Sequence, residues 1–221
     1  MPPPRRSSQV SFQAGEVRVV GDALSDSESG LRVPLSDLRL RGSHNLANAC
    51  AAALAARLVG VHAQDIASVL RSFRGLAHRM QYVATLGGVE YIDDSKATNV
   101  GATAAALDGL ERASGKIVLI AGGVDKGGSY EPVRRRMAER GRAVVVLGEA
   151  APLIERAFAG SGPEVRRAAS MEEAVRHASA VAQAGDTVLL APACASFDMF
   201  RSYAERGDVF QSAVRTLGGQ S

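Results

Sequence analysis

The sequence predicts an α/β protein with a Rossmann-like, mostly parallel sheet that is covered by helices on both faces. Three near-continuous apolar runs carry this prediction, at 116–121 (KIVLIA), 143–147 (AVVVL) and 187–191 (TVLLA). Stretches with helical periodicity alternate with these runs along the chain. Strands that are apolar throughout are buried on both faces, as in parallel sheets, where each connection usually contains a helix.

The individual elements follow from local patterns. Short alternating stretches at 9–13, at 16–20 and within 31–40 predict strands in a turn-rich opening segment. Beyond it the predicted elements are, in order, helix 46–59, helix 63–73, strand 89–92, helix 99–110, strand 116–121, helix 130–140, strand 143–147, helix 150–158, edge strand 165–168, helix 171–183, strand 187–191 and helix 209–217.

Composition excludes several classes of function. The chain has 221 residues, of which 22% are charged and 5% aromatic, and its net charge is +3. Basic residues are not interleaved with aromatics, so a nucleic-acid-binding surface is not predicted. Neither a signal peptide nor a membrane-spanning run is present, and we expect a cytoplasmic monomer. Cys50 and Cys194 lie in apolar runs, which is typical of buried reduced thiols, and no metal-ligand spacing occurs.

Unusual polar residues cluster in three predicted loops, 93–99, 122–129 and 192–203, that follow strands. In parallel sheets, ligands bind where the carboxyl ends of strands open into loops. The first loop reads DDSKATN and enters a helix, whose N-terminus favours anions. The alternative is a simple helix cap, with Ser95 or Thr98 as the capping residue. A cap requires only one of these polar residues.

The second loop, GGVDKGGS, combines glycines with Lys126, a point charge suited to a carboxylate or phosphate. A flexible surface loop explains it equally well, and its spacing is not that of a P-loop. In the third loop, Cys194 lacks a basic neighbour in sequence, so a buried thiol is favoured over a nucleophile. Ser196 is better suited to donate a hydrogen bond to a substrate carboxylate.

Two further pairs of residues stand outside these loops. Asn45 and Asn48 lie three apart on one face of a predicted helix start, which suits recognition of a planar polar group. Capping is the alternative, and it needs only one of the two. His78 and Arg79 lie at a predicted domain junction. A lone histidine is usually structural, but beside an arginine this pair is suited to phosphate binding.

Five segments together resemble the Mur ligase family, in the order in which that family has them: GSHNLANA, FRGLAHRMQ, DDSKATN, AGGVDKG and APACASFDMF. The resemblance runs from about Leu38 onward and is strongest to the branch that adds D-glutamate. It implies an ADP-forming amide ligase of peptidoglycan precursor synthesis. In that reaction ATP phosphorylates the carboxylate of UDP-N-acetylmuramoyl-L-alanine, and D-glutamate attacks the acyl phosphate. Mg²⁺ neutralises the phosphates.

The resemblance also implies roles for particular residues. Those that match D-glutamate-binding positions are Thr98, Lys126, Ser196, Phe197 and Tyr203. Those that match ATP-contacting positions are Asn45, Asn48, Arg79 and Asp94. Lys96 and His78 are assigned catalytic roles, and no residue is assigned to a metal. Tyr203 stands where the family commonly has phenylalanine, which preserves an aromatic surface.

The family has three domains, and the resemblance covers only part of them. Residues 1–75 resemble the end of the central α/β ATP-binding domain without its P-loop, and residues 76–221 resemble the complete carboxyl-terminal domain. Most metal ligands belong to the unmatched part. The alternatives to a ligase half are a non-catalytic module that binds nucleotide or D-glutamate, and a split enzyme completed by another chain.

From this division we predict that the 221-residue chain alone is not catalytic, because the phosphate-binding loop and most of the metal ligands are not encoded in it. The test is incubation with ATP, Mg²⁺, D-glutamate and UDP-N-acetylmuramoyl-L-alanine, with phosphate release as the measurement. Release at the background rate is expected. Release at an ordinary enzymatic turnover would contradict the prediction.

Overall fold

A computed structural model of the chain describes residues 17–40, 43–110, 115–160 and 162–219. The strand predicted at 9–13 lies outside these residues. The chain forms two compact units, residues 1–75 and residues 76–221, and each is described by itself. None of the described helices is both long and apolar enough to cross a bilayer.

The first unit contains a small antiparallel sheet and two helices. Its elements are β1 (Arg18–Val20), β2 (Ala23–Asp26), β3 (Leu31–Pro34), a short 3-10 helix (Leu35–Asp37), α1 (Ser43–Leu58) and α2 (Ala63–Ser72). The strands pair in sequence order, and their inner face packs with the helices around Leu24, Val33 and Leu54. Strand β2 was not predicted from the sequence, because half of it is polar. Its Asp26 is buried, and the carboxylate lies 3.1 Å from Nε of Arg57.

The second unit is a six-stranded sheet in the order β4-β5-β9-β6-β7-β8. Its strands are β4 (Gln81–Leu86), β5 (Val89–Asp93), β6 (Ile117–Gly122), β7 (Gly141–Leu147), β8 (Glu164–Arg167) and β9 (Thr187–Leu190). Its helices are α3 (Val100–Gly109), α4 (Glu131–Arg140), α5 (Ala151–Phe158), α6 (Met171–Val181) and α7 (Tyr203–Gly218). Every pairing is parallel except that of edge strand β4 with β5. The predicted α/β class with a mostly parallel sheet is confirmed.

Helices cover both faces of this sheet. Leu119 and Val144 point to one face, where they pack with α3, α4 and α5. Ile120 and Val145 point to the other face, where they pack with α6 and α7. Because successive side chains of a strand alternate between faces, a strand covered on both sides must be apolar at every position. This is why the three apolar runs predicted the sheet.

Two elements of the second unit differ from the sequence prediction by more than a few residues. Strand β4 was not predicted, because it is a half-exposed edge strand and a register shift between Tyr82 and Ala84 interrupts its alternation. Helix α7 begins at Tyr203, six residues before the predicted start at 209. Its cap is Ser202, whose hydroxyl accepts a hydrogen bond from the Glu205 amide at 3.1 Å. Ser-x-x-Glu is the sequence pattern of a capping box, a signal present in the sequence, although here the Glu205 carboxylate accepts from the Arg201 amide.

At the amino-terminal edge of the sheet, a buried carboxylate ties three segments together. Asp186 accepts hydrogen bonds from the backbone amides of Lys116 and Gln183, each at 2.8 Å, and from the guanidinium of Arg142. Burial opposes ionisation of Asp186. The hydrogen bonds and the charge of Arg142 outweigh that effect and keep the pKa of this carboxyl below its usual value.

We therefore predict that Asp186→Asn lowers the free energy of unfolding at pH 7 by about 2–4 kcal/mol, because it leaves Arg142 partly buried without its carboxylate. Urea denaturation measures the loss. A carboxyl with a lowered folded-state pKa stabilises above its unfolded pKa and stops doing so as pH falls through the folded value. The difference between the two proteins should accordingly shrink in acid.

The matched control is Asp108→Asn, which removes the carboxylate of a surface pair with Arg136. The Asp108 side chain is 44% exposed, so its loss should cost at most about 1 kcal/mol. Equal losses for the two variants would contradict the prediction.

Candidate functional site

Three loops leave the carboxyl ends of β5, β6 and β9 and meet at one edge of the sheet. Val124 and Ala195 exchange backbone hydrogen bonds of 2.9 and 3.0 Å between the second and third loops. The Ala193 amide donates to the Ala97 carbonyl of the first loop at 3.0 Å. Backbone contacts therefore join all three loops, as expected for neighbouring parallel strands that end at the same edge.

Two glycines allow this close approach. Gly122 and Gly123 have φ angles of 130° and 126°, a conformation that side chains rarely adopt. A Cβ atom at Gly123 would lie 2.0 Å from the Ala195 carbonyl oxygen, and one at Gly122 would lie 1.9 Å from that of Leu147. The start of the glycine-rich loop is thus a packed junction. The alternative of a flexible surface loop does not describe it.

The polar residues predicted to bind D-glutamate lie on these loops. Lys126 Nζ lies 3.5 Å from Thr98 Oγ1, which joins the second loop to the first. Ser196 is buried in the third loop, whereas the neighbouring Phe197 side chain is largely exposed. Tyr203 opens helix α7, and Lys96 Nζ lies 3.9 Å from the centre of its ring, a cation–π contact.

Neither Lys96 nor Lys126 forms an ion pair with any described carboxylate, taking 4.0 Å as the limit. Two ammonium groups without a neutralising partner therefore lie on adjacent loops at one edge of the sheet. Such an arrangement attracts an anion, and the hydroxyl of Thr98 adds a hydrogen-bonding group beside it. A carboxylate or phosphate ligand fits this chemistry.

Asn99, and not Ser95 or Thr98, caps helix α3. Its side chain accepts a hydrogen bond from the Ala102 amide at 2.9 Å. The capping alternative for Ser95 and Thr98 is therefore wrong. Asn99 has the short polar side chain that caps require, and it directly precedes the first helical residue. Thr98 is left free to contact Lys126.

Cys194 is a buried thiol, as the sequence analysis concluded. Burial raises its pKa, and its sulfur lies 3.2 Å from the hydroxyl of Tyr130. That hydroxyl donates a hydrogen bond of 2.6 Å to Asp125 in the second loop. The thiol is thus part of the packing that holds the loop, in a protonation state unsuited to nucleophilic attack.

His78 forms a buried pair with the first carboxylate of DDSKATN. Its Nδ1 lies 2.7 Å from Oδ2 of Asp93, and the same oxygen accepts a hydrogen bond of 2.8 Å from the amide of Gln211. Helix α7 comes so close that a Cβ atom at Gly207 would lie 2.1 Å from His78 Nδ1. His78 therefore lies inside the packed wall of the site, with one ring nitrogen already engaged.

Arg79 is exposed and lies between two strained residues. His78 and Met80 both have positive φ angles, of 59° and 46°, which costs roughly 1–3 kcal/mol for each residue. Both are held by the acidic pair: Asp93 contacts the His78 ring, and Asp94 accepts a hydrogen bond of 3.2 Å from the Met80 amide. The two carboxylates thus stabilise the turn that places Arg79 at the surface.

Asp94 has an unusual protonation equilibrium. Burial and the neighbouring charge of Asp93 raise its pKa to about 6, against the opposing effects of the Met80 amide and of Arg79. A carboxyl that titrates this close to neutrality is common at functional sites.

Arg206 is the residue at this site that the sequence analysis missed. Its guanidinium is buried in helix α7 and donates hydrogen bonds to the side chain and carbonyl of Ser95 and to the carbonyls of Gly122, Cys194 and Ala195. Burial lowers its pKa to about 10, so it stays charged at neutral pH. Arginine is usually exposed, so the sequence carries no sign of this burial. The capping box at Ser202 would have placed Arg206 on a helix.

Asn45 and Asn48 belong to the first unit, on helix α1, where Asn45 is half-buried and Asn48 exposed.

Within the described part of the chain, no group of three or more histidine, cysteine or acidic side chains is placed to hold a metal ion.

Comparison with known proteins identifies the class of protein that this fold and site define. Residues 78–194 match the glutamate ligase domain of the Mur ligases, and the chain belongs to the Mur ligase family. It is 52% identical over 185 residues to the UDP-N-acetylmuramoylalanine–D-glutamate ligases of Burkholderia mallei and Burkholderia pseudomallei. The match covers 84% of this chain and 36% of each relative, so the chain spans about a third of their length.

Solved structures of the family share the fold. The UDP-N-acetylmuramate–alanine ligase MurC of Thermotoga maritima matches with a TM-score of 0.64 at 18% identity, over 86% of this chain and 41% of that protein. The MurF ligase of the same organism, solved in complex with ADP, matches with a TM-score of 0.57 at 18% identity, over 95% of this chain and 46% of that one.

The raised pKa of Asp94 yields a prediction about stability. A folded-state pKa above the unfolded value means that the folded protein binds more protons between about pH 4 and pH 6, so stability falls as pH rises through this window. Above it, ionised Asp94 costs the fold on the order of 3 kcal/mol. Asp94→Asn removes this charge, while its side-chain oxygen can still accept from Met80.

We expect Asp94→Asn to raise the free energy of unfolding at pH 8 by about 1–3 kcal/mol and to have little effect near pH 4. Urea denaturation across this pH range measures the difference. Glu164→Gln, at a surface pair with Arg166, serves as the control without a comparable pH dependence. A destabilised Asp94→Asn variant at pH 8 would contradict the argument.

Proposed function

We propose that the chain is the carboxyl-terminal part of an ATP-dependent ligase that joins D-glutamate to UDP-N-acetylmuramoyl-L-alanine in peptidoglycan precursor synthesis. One observation carries the proposal. Lys126, which has no ion-pair partner among the described residues, meets Thr98 at the junction of two loops, in a chain that is 52% identical to D-glutamate ligases of Burkholderia.

D-glutamate fits the polar edge of the sheet. It carries two carboxylates, and the loops offer the ammonium groups of Lys126 and Lys96 with the hydroxyls of Thr98 and Ser196. Charge-assisted hydrogen bonds from such groups to carboxylates are stronger than neutral ones. The exposed ring of Phe197 and the ring of Tyr203 provide apolar surface for the methylene carbons between the two carboxylates.

ATP is the proposed phosphate donor. In the second unit, the exposed guanidinium of Arg79 suits phosphates and Asp94 suits ribose hydroxyls. In the first unit, the side-chain amides of Asn45 and Asn48 suit hydrogen bonds to a nucleotide. A solved MurF relative carries ADP, which supports nucleotide use in the family. Mg²⁺ would neutralise phosphate charge when bound, but the described residues do not build a site for it.

Lys96 and His78 are proposed to act in different ways. Lys96 lies on the loop between the D-glutamate and ATP groups, where its ammonium would stabilise the negative charge of an acyl phosphate. His78 holds the loop itself, since its carbonyl accepts a hydrogen bond of 3.0 Å from the Lys96 amide and its ring is bound to Asp93. In this proposal His78 orients Lys96 and does not transfer a proton.

The two units correspond to different domains of the family in this proposal. Residues 76–221 form the domain that binds D-glutamate, and all five residues assigned to that substrate lie within it. Residues 1–75 form the end of the central ATP-binding domain. Because the second unit carries all five of these residues, we expect the chain itself to bind D-glutamate. The enzyme would act in the cytoplasm, where its nucleotide substrates are.

A chimera tests the proposal. Residues 38–221 of this chain would replace the matching segment of the Burkholderia mallei relative, which supplies the remaining part of the enzyme. We expect phosphate release that depends on D-glutamate. In the chimera, Lys126→Ala should lower kcat/KM for D-glutamate by at least about tenfold, because it removes a charged hydrogen-bond donor.

Lys116→Ala is the matched control. Lys116 is an exposed lysine just before β6, at the opposite end of that strand, and its loss should leave the reaction unchanged. Phosphate release from a folded chimera that is independent of D-glutamate, or that is unaffected by Lys126→Ala, would overturn the proposal.

A further inference from the structure

We infer that Arg206 is a positioning residue of the D-glutamate site: from helix α7 it holds the three loops that carry Lys96, Thr98, Lys126 and Ser196. The inference rests on the proposed function only for the identity of the ligand. The geometry that supports it is independent of that identity.

Arg206 contacts all three loops at once. In the first loop its Nε and one terminal nitrogen donate to the hydroxyl and carbonyl of Ser95, at 3.0 and 2.9 Å. At the end of β6 it donates to the Gly122 carbonyl at 3.4 Å. In the third loop it donates to the carbonyls of Cys194 and Ala195, at 3.2 and 3.3 Å. One planar group thus sets the spacing of three strand ends.

Ser95 links the position of Lys96 to that of Arg206. The Ser95 hydroxyl accepts from Arg206 and donates to the Tyr203 carbonyl at 2.7 Å. Lys96 follows Ser95 directly and lies with Nζ 3.9 Å from the centre of the Tyr203 ring. The contact between Lys96 and Tyr203 therefore depends on a serine that is fixed by Arg206.

Ala195 carries the effect to the other two loops. Its carbonyl accepts from Arg206 and also from the Val124 amide at 2.9 Å. Val124 begins the segment that leads to Lys126, and Ser196 follows Ala195. A shift of Ala195 would therefore displace both Lys126 and Ser196.

The side chain has to be arginine for geometric reasons. A guanidinium presents five N–H donors in a rigid plane, whereas a lysine presents three on a single nitrogen. The guanidinium of Arg206 donates from three nitrogens to acceptors in all three loops, which donors on a single nitrogen cannot do from the same position. Asp198 and, more weakly, Asp93 favour its charge from a distance, and no described carboxylate pairs with it within 4.0 Å.

The competing explanation is that Arg206 merely stabilises the fold. Asp186 separates the two explanations, because it is a buried charged residue of the same unit at the opposite, amino-terminal edge of the sheet. Loss of Asp186 should destabilise the unit without changing the loops. Loss of Arg206 should change the loops themselves.

The experiment uses the full 221-residue chain and the variants Arg206→Lys and Arg206→Met, with Asp186→Asn as the destabilised control and Arg176→Lys, an exposed position on α6, as the neutral one. Amide hydrogen exchange is measured for Val124 and Ala195, below the unfolding temperature of every variant. D-glutamate affinity is measured by NMR titration of the same samples.

For Arg206→Lys we expect exchange of the Val124 and Ala195 amides to become at least about tenfold faster, and D-glutamate to bind at least about tenfold more weakly. Asp186→Asn should keep the wild-type affinity while it remains folded. Should Arg206→Met fail to fold, the lysine variant carries the test alone.

The outcomes separate this inference from the proposed function. Unchanged exchange at Val124 and Ala195 overturns the positioning role, whatever the affinity. Faster exchange with unchanged D-glutamate affinity overturns it as well, since the loops would not then control the site. Wild-type protein that binds no D-glutamate counts against the proposed ligand, while faster exchange in Arg206→Lys would still support the control of the loops by Arg206.

Discussion

The carboxyl-terminal edge of the six-stranded sheet depends on one buried charge, the guanidinium of Arg206. A buried charge without hydrogen-bond partners would be too costly to retain, and so would buried backbone carbonyls without donors. Here the same hydrogen bonds satisfy both groups, because the carbonyls of Gly122, Cys194 and Ala195 accept from the Arg206 guanidinium. Strand ends that would otherwise be free loops are thereby held in one arrangement.

Close approach of the backbone is the condition for this arrangement. Gly123 lets the second loop lie against Ala195, and Gly207 lets helix α7 approach the His78–Asp93 pair. The same edge contains features that oppose stability, including the buried carboxyl of Asp94, whose pKa is raised. Strands β6 and β9, with every side chain buried, supply the stability that makes these features tolerable. The polar candidate site and the strands that stabilise the fold are thus located in different parts of the same sheet.

The parts of the fold that the sequence predicted are those in which one physical requirement dominates. A strand buried on both faces must be apolar throughout, so the apolar runs in the sequence were enough to predict β6, β7 and β9. Edge strand β4 is half-exposed and interrupted by a register shift, so its alternation was too weak to recognise. The burial of Arg206 depends on hydrogen bonds to carbonyls from three segments that are distant in sequence. Such long-range hydrogen bonds leave no pattern in the sequence around the arginine. Likewise, sequence could place the polar loops at one sheet edge but could not supply their contacts.

The residues of the DDSKATN segment are adjacent in sequence but differ in their burial and contacts. Asp93 and Ser95 are buried and point inward: the carboxylate binds His78 and the Ser95 amide, and the serine hydroxyl meets Arg206. Lys96 and Thr98 are only half-buried, and they reach Tyr203 and Lys126. The turn that follows Asp94 leaves Lys96 and Thr98 partly exposed while Asp93 and Ser95 stay buried, so one set of side chains holds the loop and the other is accessible. A polar motif at a strand end can therefore be dense in charge without every charge meeting substrate, because half of it is needed to keep the other half in place.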